Sequence, residues 1–354
     1  MYGLRTSLLA CLAAHLLGCQ RDNIDFPPVQ VQGRFLSYAA DDDIIVCDGS
    51  VQFIEAWMEA VALYLGMNPN QLLPTTYYFA DSSLVEEMCS FSVSGCTDQE
   101  EDRIQIFSTL PIHEHELVHA VHLATWPRRQ PLLHEGLASA FVQDNPPIYY
   151  SFTPDEIDVA VEAENSSVDK LVYSVGHYLV YWTLTRYGPE AFGQFWHATT
   201  QPTTASNFRA AFEDSFGESL DEMLADVQGS PICPIPICVG APLAWEQVTW
   251  VTESPRSCAD GTTVGFTGKS YSNLVRNDLV EITEAGGYDV SVSESTNIGQ
   301  GTIVMSCQDG CDQWIIFAGE SYTIDLAPGL YRVTTVESHP EEAGGISVEI
   351  RPSN

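Results

Sequence analysis

Two histidines four residues apart, with a glutamate directly after the first, form the segment His115-Glu116-Leu117-Val118-His119, the residues of this chain best suited to do chemistry. On a helix, residues i and i+4 lie one turn apart on the same face. The two imidazoles can then grip one metal ion while Glu116 stands beside it as a carboxylate able to take a proton. This is the two-histidine half of a zinc site with a general base built in. Pro111 suits the first turn of such a helix, with Ser108 or Thr109 as cap, and Trp126-Pro127 ends it. Leu117, Val118, Val121 and Leu123 surround the histidines, as expected of a helix buried on most sides. A second helix beginning at Leu132-Leu133-His134-Glu135-Gly136-Leu137-Ala138 would set Glu135 opposite the histidine pair.

H-E-L-x-H, a proline-bearing loop and L-x-E-G-L-A together resemble the gluzincin metallopeptidases, in particular the bacterial peptidase MA-like families. The resemblance implies His115, His119 and Glu135 as the protein ligands of one Zn2+ ion, Glu116 as general base, and a peptide or protein as substrate. It continues through Tyr173-Ser174-Val175-Gly176-His177-Tyr178-Leu179 and Arg186-Tyr187-Gly188, similar to the family's Y-x-x-A-G-S-F-x-x-Y-L helix and closing R-Y-G. Phe212, Phe216-Gly217 and Ser219-Leu220 fit the family's usual tail, while Val175, His177 and Tyr178 stand where it more often has Ala, Ser and Phe. Such a hydrolase also needs a hydrogen-bond donor to the oxyanion that develops on the scissile carbonyl. Tyr173 begins the matching segment and His177 follows one turn later, so either could donate. Both also suit packing on a helix rich in aromatics.

His113, His115, His119, His122 and His134 fall within 22 positions, and five imidazoles cannot all ligate one zinc. His113 precedes the helix face and His122 is rotated from His119, so both read as supporting or surface residues. His134 is expected on a different side of its helix from Glu135 and is the substitute third ligand if Glu135 is not one. A buried polar network without metal is the alternative for the whole cluster.

These residues need a scaffold, and 354 residues of 45% hydrophobic composition can bury a sizeable core. Strands at residues 35–38, 44–47, 75–80 and 103–107, with helices at 51–65 and 82–88, read as a small α/β layer ahead of the metal helix. Residues 103–108 are the candidate edge strand along the cleft, or else an interior strand. Helical periodicity follows, starting at Thr153-Pro154-Asp155-Glu156, with a long helix from Val168 that stops at Gly188-Pro189. Residues 229–242 hold four prolines and two cysteines and read as a linker. Beyond it apolar residues alternate with period two, as in Tyr288-Asp289-Val290-Ser291-Val292, which predicts an all-β sandwich. The Gly287-Tyr288-Asp289-Val290 and Ala318-Gly319-Glu320-Ser321-Tyr322 turns resemble the pre-peptidase C-terminal domain of secreted bacterial peptidases. The expected fold is therefore α+β, with a zincin-like catalytic domain at 33–228 (a small α/β sheet layer plus a helical subdomain), a linker at 229–242 and a β-sandwich at 243–354.

Residues 1–18 read as a signal peptide, with Arg5, an apolar run and Leu16-Leu17-Gly18-Cys19 as a lipobox; 19–32 would be a tether. The expectation is an exported, lipid-anchored envelope protein at the outer membrane or cell surface, with the membrane engaged only through Cys19. Plain secretion is the alternative. Fourteen Lys+Arg against 48 Asp+Glu give a formal net charge of −34, a field that repels nucleic acid and anionic headgroups. Of ten cysteines, Cys11 lies in the signal and Cys19 would carry lipid, so eight remain for up to four disulfides. The functional expectation is a zinc metallopeptidase. A catalytically inactive or non-peptidase zinc-binding envelope lipoprotein, acting in binding or adhesion, is the alternative.

Overall fold

The N-terminal strands become a sheet because both faces find cores to enter: Tyr77 and Ile106 point into one, and the adjacent Phe107 into another. The computed structural model describes residues 25–353 apart from 90–92, 127–129, 144–146, 164–169, 200–202, 244–248, 254–256, 260, 269–272, 294–300 and 338–345; the segment read as a signal peptide, Cys19 and residues 20–24 of the expected tether lie outside the described residues. Strands β1 (Val29–Gln32), β2 (Leu36–Ala40), β3 (Ile44–Val46), β4 (Thr75–Phe79), β5 (Gly95–Gln99) and β6 (Ile104–Ser108) come first, with helices α1 (Gly49–Tyr64), α2 (Ser82–Cys89) and α3 (Glu114–Leu123). All but β3 form a five-stranded sheet in the order β1-β2-β4-β6-β5. Strands β2, β4 and β6 run parallel, and antiparallel β1 and β5 close the two edges. Ile54, Trp57, Met58 and Val61 of α1 and Leu117, Val118 and Val121 of α3 share one core with Leu36, Tyr38, Tyr77, Ile104 and Ile106 of this sheet.

Two expectations are corrected here and one open alternative is decided. Strand β6 pairs on both sides, so residues 103–108 are interior, and β5 is the edge strand beside α3. Pro111 lies before α3, which starts at Glu114 with His113 flanking it and no side-chain cap. The cause is tertiary: the buried hydroxyls of Tyr38 and Tyr77 donate to the carbonyls of Pro111 (2.6 Å) and Leu110 (2.7 Å), holding that loop off the helix. Strand β3, expected in the α/β layer, instead pairs with a strand of the C-terminal half.

That half contains β7 (Trp250–Glu253), β8 (Val264–Gly268), β9 (Asn273–Ile282), β10 (Gly286–Ser293), β11 (Gly301–Ser306), β12 (Gln313–Phe317), β13 (Ser321–Leu326), β14 (Gly329–Glu337) and β15 (Ser347–Pro352). A four-stranded sheet, β13-β10-β15-β7, and a six-stranded sheet, β12-β11-β14-β9-β8-β3, share a core of Trp250, Val280, Val290, Val304, Val333, Val348 and their neighbours. The chain is thus mixed α/β with a β-rich C-terminal part. Antiparallel β3 and β8 join its two ends, and Ser50 Oγ, just after β3, both donates to the Gly265 carbonyl and accepts from the Gly265 N–H. All eight described cysteines are paired, Cys47 with Cys258, Cys89 with Cys96, Cys233 with Cys311 and Cys238 with Cys307. Residues 229–242 are therefore pinned to the β-rich part, and Gln143 bonds the Ile235 carbonyl and the Ile237 N–H from the other side.

Helices α4 (Pro131–Ala140), α5 (Pro154–Val161), α6 (Lys170–Ala198), α7 (Ala205–Phe216) and α8 (Leu220–Val227) complete the fold, and none of the described helices is long and apolar enough to cross a membrane. At the helix start expected from Thr153-Pro154-Asp155-Glu156, Thr153 and Glu156 form a capping box. Helix α6 breaks at Gly188 (φ 83°) ahead of Pro189, where the sequence predicts a stop. Helices α4 and α6 cross at Gly136 and Gly176 with their backbones in contact. A Cβ on Gly136 would sit 2.4 Å from the Gly176 carbonyl group, and one on Gly176 would sit 2.3 Å from the Leu132 oxygen. Neither obstacle is a flexible side chain that could swing away. Gly136→Ala is expected to destabilise the fold by about 1–3 kcal/mol through overpacking. Urea unfolding of parent and variant checks this, and an unchanged midpoint would show that the helices separate freely.

Candidate metal centre

Helix α3 leaves the sheet at the C-terminal end of β6 and carries His115 and His119 on one face; α4 crosses it and presents Glu135. His115 Nε2 lies 3.1 Å from Glu135 Oε2 and 3.1 Å from His119 Nε2, and His119 Nε2 lies 3.5 Å from the same carboxylate oxygen. With Glu135 ionised, protons satisfy this triangle poorly. If both imidazoles donate to Glu135, two N–H groups face each other at 3.1 Å; if one nitrogen gives up its proton, its contact with the carboxylate becomes repulsive. A cation satisfies all three at once. Ligand atoms about 2.0–2.1 Å from a tetrahedral ion stand about 3.3–3.4 Å apart, which matches the observed spacing. The residues present therefore fit a metal ion.

Glu116 is buried on the same helix, and its Oε2 accepts a 2.8 Å hydrogen bond from Thr97 Oγ1 on edge strand β5. The Thr97 hydroxyl also lies 3.1 Å from the Glu116 carbonyl oxygen, which fastens the strand to the helix at this point. Tyr173 of α6 stands over the centre, with its ring 5.8 Å from that of His115 and its hydroxyl bonded to Glu135. His177, one turn on, is buried, and its Nε2 has no hydrogen-bond partner among the described residues. All six residues singled out from the sequence thus lie around one centre or in the helix turn flanking it.

Of the remaining histidines, His113 and His122 take supporting places, as expected, and His134 is placed differently. His134 does not point away; its ring lies 4.1 Å over that of His119, nearly parallel at 19°. His122 is fully buried rather than at the surface, with Nε2 3.2 Å from His119 Nδ1. His119, His122 and His134 are consequently a second group that could hold a metal ion, alongside His115, His119 and Glu135. His113 turns back to Ser108, Nδ1 to Oγ 3.1 Å. Thr97 was invisible to sequence reasoning because one threonine on a strand carries no signal. Only the pairing of β5 with β6 brings it to the helix.

No protein-family model matches this chain, and no curated protein matches it in sequence. Among solved structures it is similar to the pre-peptidase C-terminal domain of a collagenase from Bacillus anthracis, with 14% identity over 30% of this chain and 90% of that one and a TM-score of 0.21. A cupin domain from Bordetella pertussis Tohama I shows 12% identity over 26% and 94%, TM-score 0.15. A Podospora anserina β-(1,4)-mannanase shows 18% identity over 30% and 25%, TM-score 0.16. Likenesses this slight bear on neither the site nor its chemistry.

Burial disfavours ionisation of Glu135, yet His119 and His115, by charge and by hydrogen bonding, hold its carboxyl far below the usual carboxylate range. Burial likewise works against a charged His115, but the Glu135 hydrogen bond and the Glu116 charge outweigh it and raise its pKa. His177 has no such partner: burial first, then the His115 charge, pushes it down to about 4. His113 is also pushed to about 4, by burial despite the opposing Glu116 charge. In the unfolded chain both would titrate near 6.5. Below that pH the unfolded chain takes up protons that the native one refuses, so stability falls as pH drops from about 6.5 toward 4. Urea midpoints of metal-free protein across this window should decline, and His177→Phe should decline less steeply. Equal slopes would show that His177 is protonated in the native protein.

Proposed function

We propose that the chain is an exported zinc metallopeptidase of the gluzincin type, with a zincin-like catalytic half. The observation that supports this reading is the triangle of His115 Nε2, His119 Nε2 and Glu135 Oε2, which is spaced to suit a cation, next to a buried Glu116 that is not one of its corners. A metal held for structure alone has no use for that fourth group. When bound, the ion would supply Lewis acidity, acidifying water and polarising a carbonyl oxygen. Zinc is favoured because two imidazoles and one carboxylate leave the fourth tetrahedral position open for chemistry.

Glu116 takes a proton from the attacking water as its oxygen adds to the peptide carbonyl carbon, and passes that proton to the amide nitrogen as the carbon–nitrogen bond breaks. One water is consumed, and a carboxylic acid and an amine leave. Thr97 holds the Glu116 carboxylate in one orientation through this exchange. His177 Nε2 and the Tyr173 hydroxyl are the donors on the α6 side where negative charge would develop on the carbonyl oxygen. Four disulfides persist only in an oxidising compartment, which supports export; a lipid anchor on Cys19 is the proposed means of retention at the envelope.

Base and ligand should fail in different ways. Glu116→Gln is expected to retain zinc while peptide cleavage falls roughly a hundred- to ten-thousand-fold. Glu135→Ala is expected to lose the ion at this position together with activity. Metal analysis and a fluorogenic peptide library test both, and a Glu116→Gln protein as fast as the parent would sink the mechanism. Thr97→Val should lower kcat with little change in KM, since it loosens the base without touching substrate. A rise confined to KM would place Thr97 in substrate binding instead.

A further inference from the structure

We propose that the protein carries a second, buried metal position, formed by His119, His122 and His134, which shares the His119 ring with the first. The sharing follows from the two faces of that ring. Nε2 points to His115 and Glu135, while Nδ1 lies 3.2 Å from His122 Nε2, a separation equally suited to a hydrogen bond and to two ligands of one ion. The ring of His134 covers His119 at 4.1 Å and stands perpendicular to that of His122, with centroids 4.6 Å apart. One nitrogen from each of the three rings lies within 4.8 Å of the other two, so closing on a common ion asks for the nitrogens to draw together by up to about 1.5 Å and for the His134 ring to turn out of its stack on His119, bringing its in-plane lone pair to the ion.

The elements bring the three rings together. His119 and His122 are one turn apart on α3, whose core-facing leucines and valines are fully buried. His134 belongs to the first turns of α4, which Gln130 anchors by accepting from the Leu133 N–H and donating to the Val161 carbonyl. The indole of Trp196 packs against His122, with ring centroids 5.2 Å apart, and so forms an apolar wall behind it. A donor set of three imidazoles and no carboxylate selects a late first-row divalent ion such as Zn2+, Co2+ or Cu2+ over Mg2+ or Ca2+.

Loading has a defined proton balance. With only the first position filled, the His119 Nδ1 proton is held between His119 and His122. Filling the second replaces that proton with the ion and releases it to solvent, leaving His119 as a bridging imidazolate whose negative charge offsets part of the added positive charge.

The test is metal stoichiometry of the full-length, oxidised protein titrated with Zn2+ and, separately, Co2+, read by native mass spectrometry and elemental analysis. The parent should bind two ions per chain. Glu135→Ala and His134→Ala should each bind one, and His119→Ala should bind none, because it serves both positions. Cobalt adds a readout that does not depend on variants: two equivalents should develop visible absorption in sequence, with proton release accompanying the second. If the parent saturates at one ion that His134→Ala retains and Glu135→Ala loses, the second position does not exist and the peptidase centre stands. If the single ion is instead retained by Glu135→Ala and lost by His134→Ala, the three-histidine position stands alone and the proposed peptidase ligand set fails.

Discussion

A partly buried carboxylate and two imidazoles, one of them buried, brought within 3.1–3.5 Å of one another form the constraint around which the candidate site is organised. Each of the two 3.1 Å contacts alone could be a hydrogen bond, and the three groups together are spaced as a cation would space them. Unsatisfied polar groups in a dry interior are costly, so such a cluster endures only where the surrounding structure holds it and something compensates it. Ordinary packing of α3 on α4 would place leucines at these positions.

The surrounding structure holds it by backbone contact rather than by long side chains. Gly136 follows Glu135 and Gly176 precedes His177, and their meeting lets α4 and α6 approach until no Cβ fits between them. The Glu135 carboxylate and the Tyr173–His177 face are therefore set by one helix crossing. On the opposite side, Tyr38 and Tyr77 reach from neighbouring strands to the two carbonyls just before α3 and fix where that helix begins. The sheet edge supplies Thr97, and with it the orientation of Glu116. Three different parts of the fold thus converge on side chains that occupy a single helix and its neighbour.

The β-rich C-terminal part is joined to this scaffold more closely than a linker of prolines suggests. Strand β3 is taken from the N-terminal half to complete the six-stranded sheet, and Cys47 to Cys258 secures the exchange covalently across 211 residues of sequence. Closing so long a loop removes a large share of the unfolded chain's freedom, which stabilises the native state in the chain-entropy picture. With a formal charge of −34 working against compaction, such cross-links offset self-repulsion that a smaller hydrophobic core could not.

Local sequence determined the helix that carries His115, Glu116 and His119, the capping box at Thr153 and Glu156, the break at Gly188-Pro189 and the alternating strands after residue 250, because each rests on spacing within a few residues. Bringing Glu135 to the histidine pair was legible only through a resemblance of motifs, since nothing in its own neighbours dictates how α4 crosses α3. Tertiary structure alone decided the rest. It turned His134 onto His119 and buried His122, because the directions of those rings depend on where two helices cross. It made β5 the edge strand and moved β3 to another sheet, because strand partners are chosen by which faces remain to be covered. And it paired eight cysteines that sequence could count but not match, since pairing depends on distances between residues as far apart as Cys47 and Cys258.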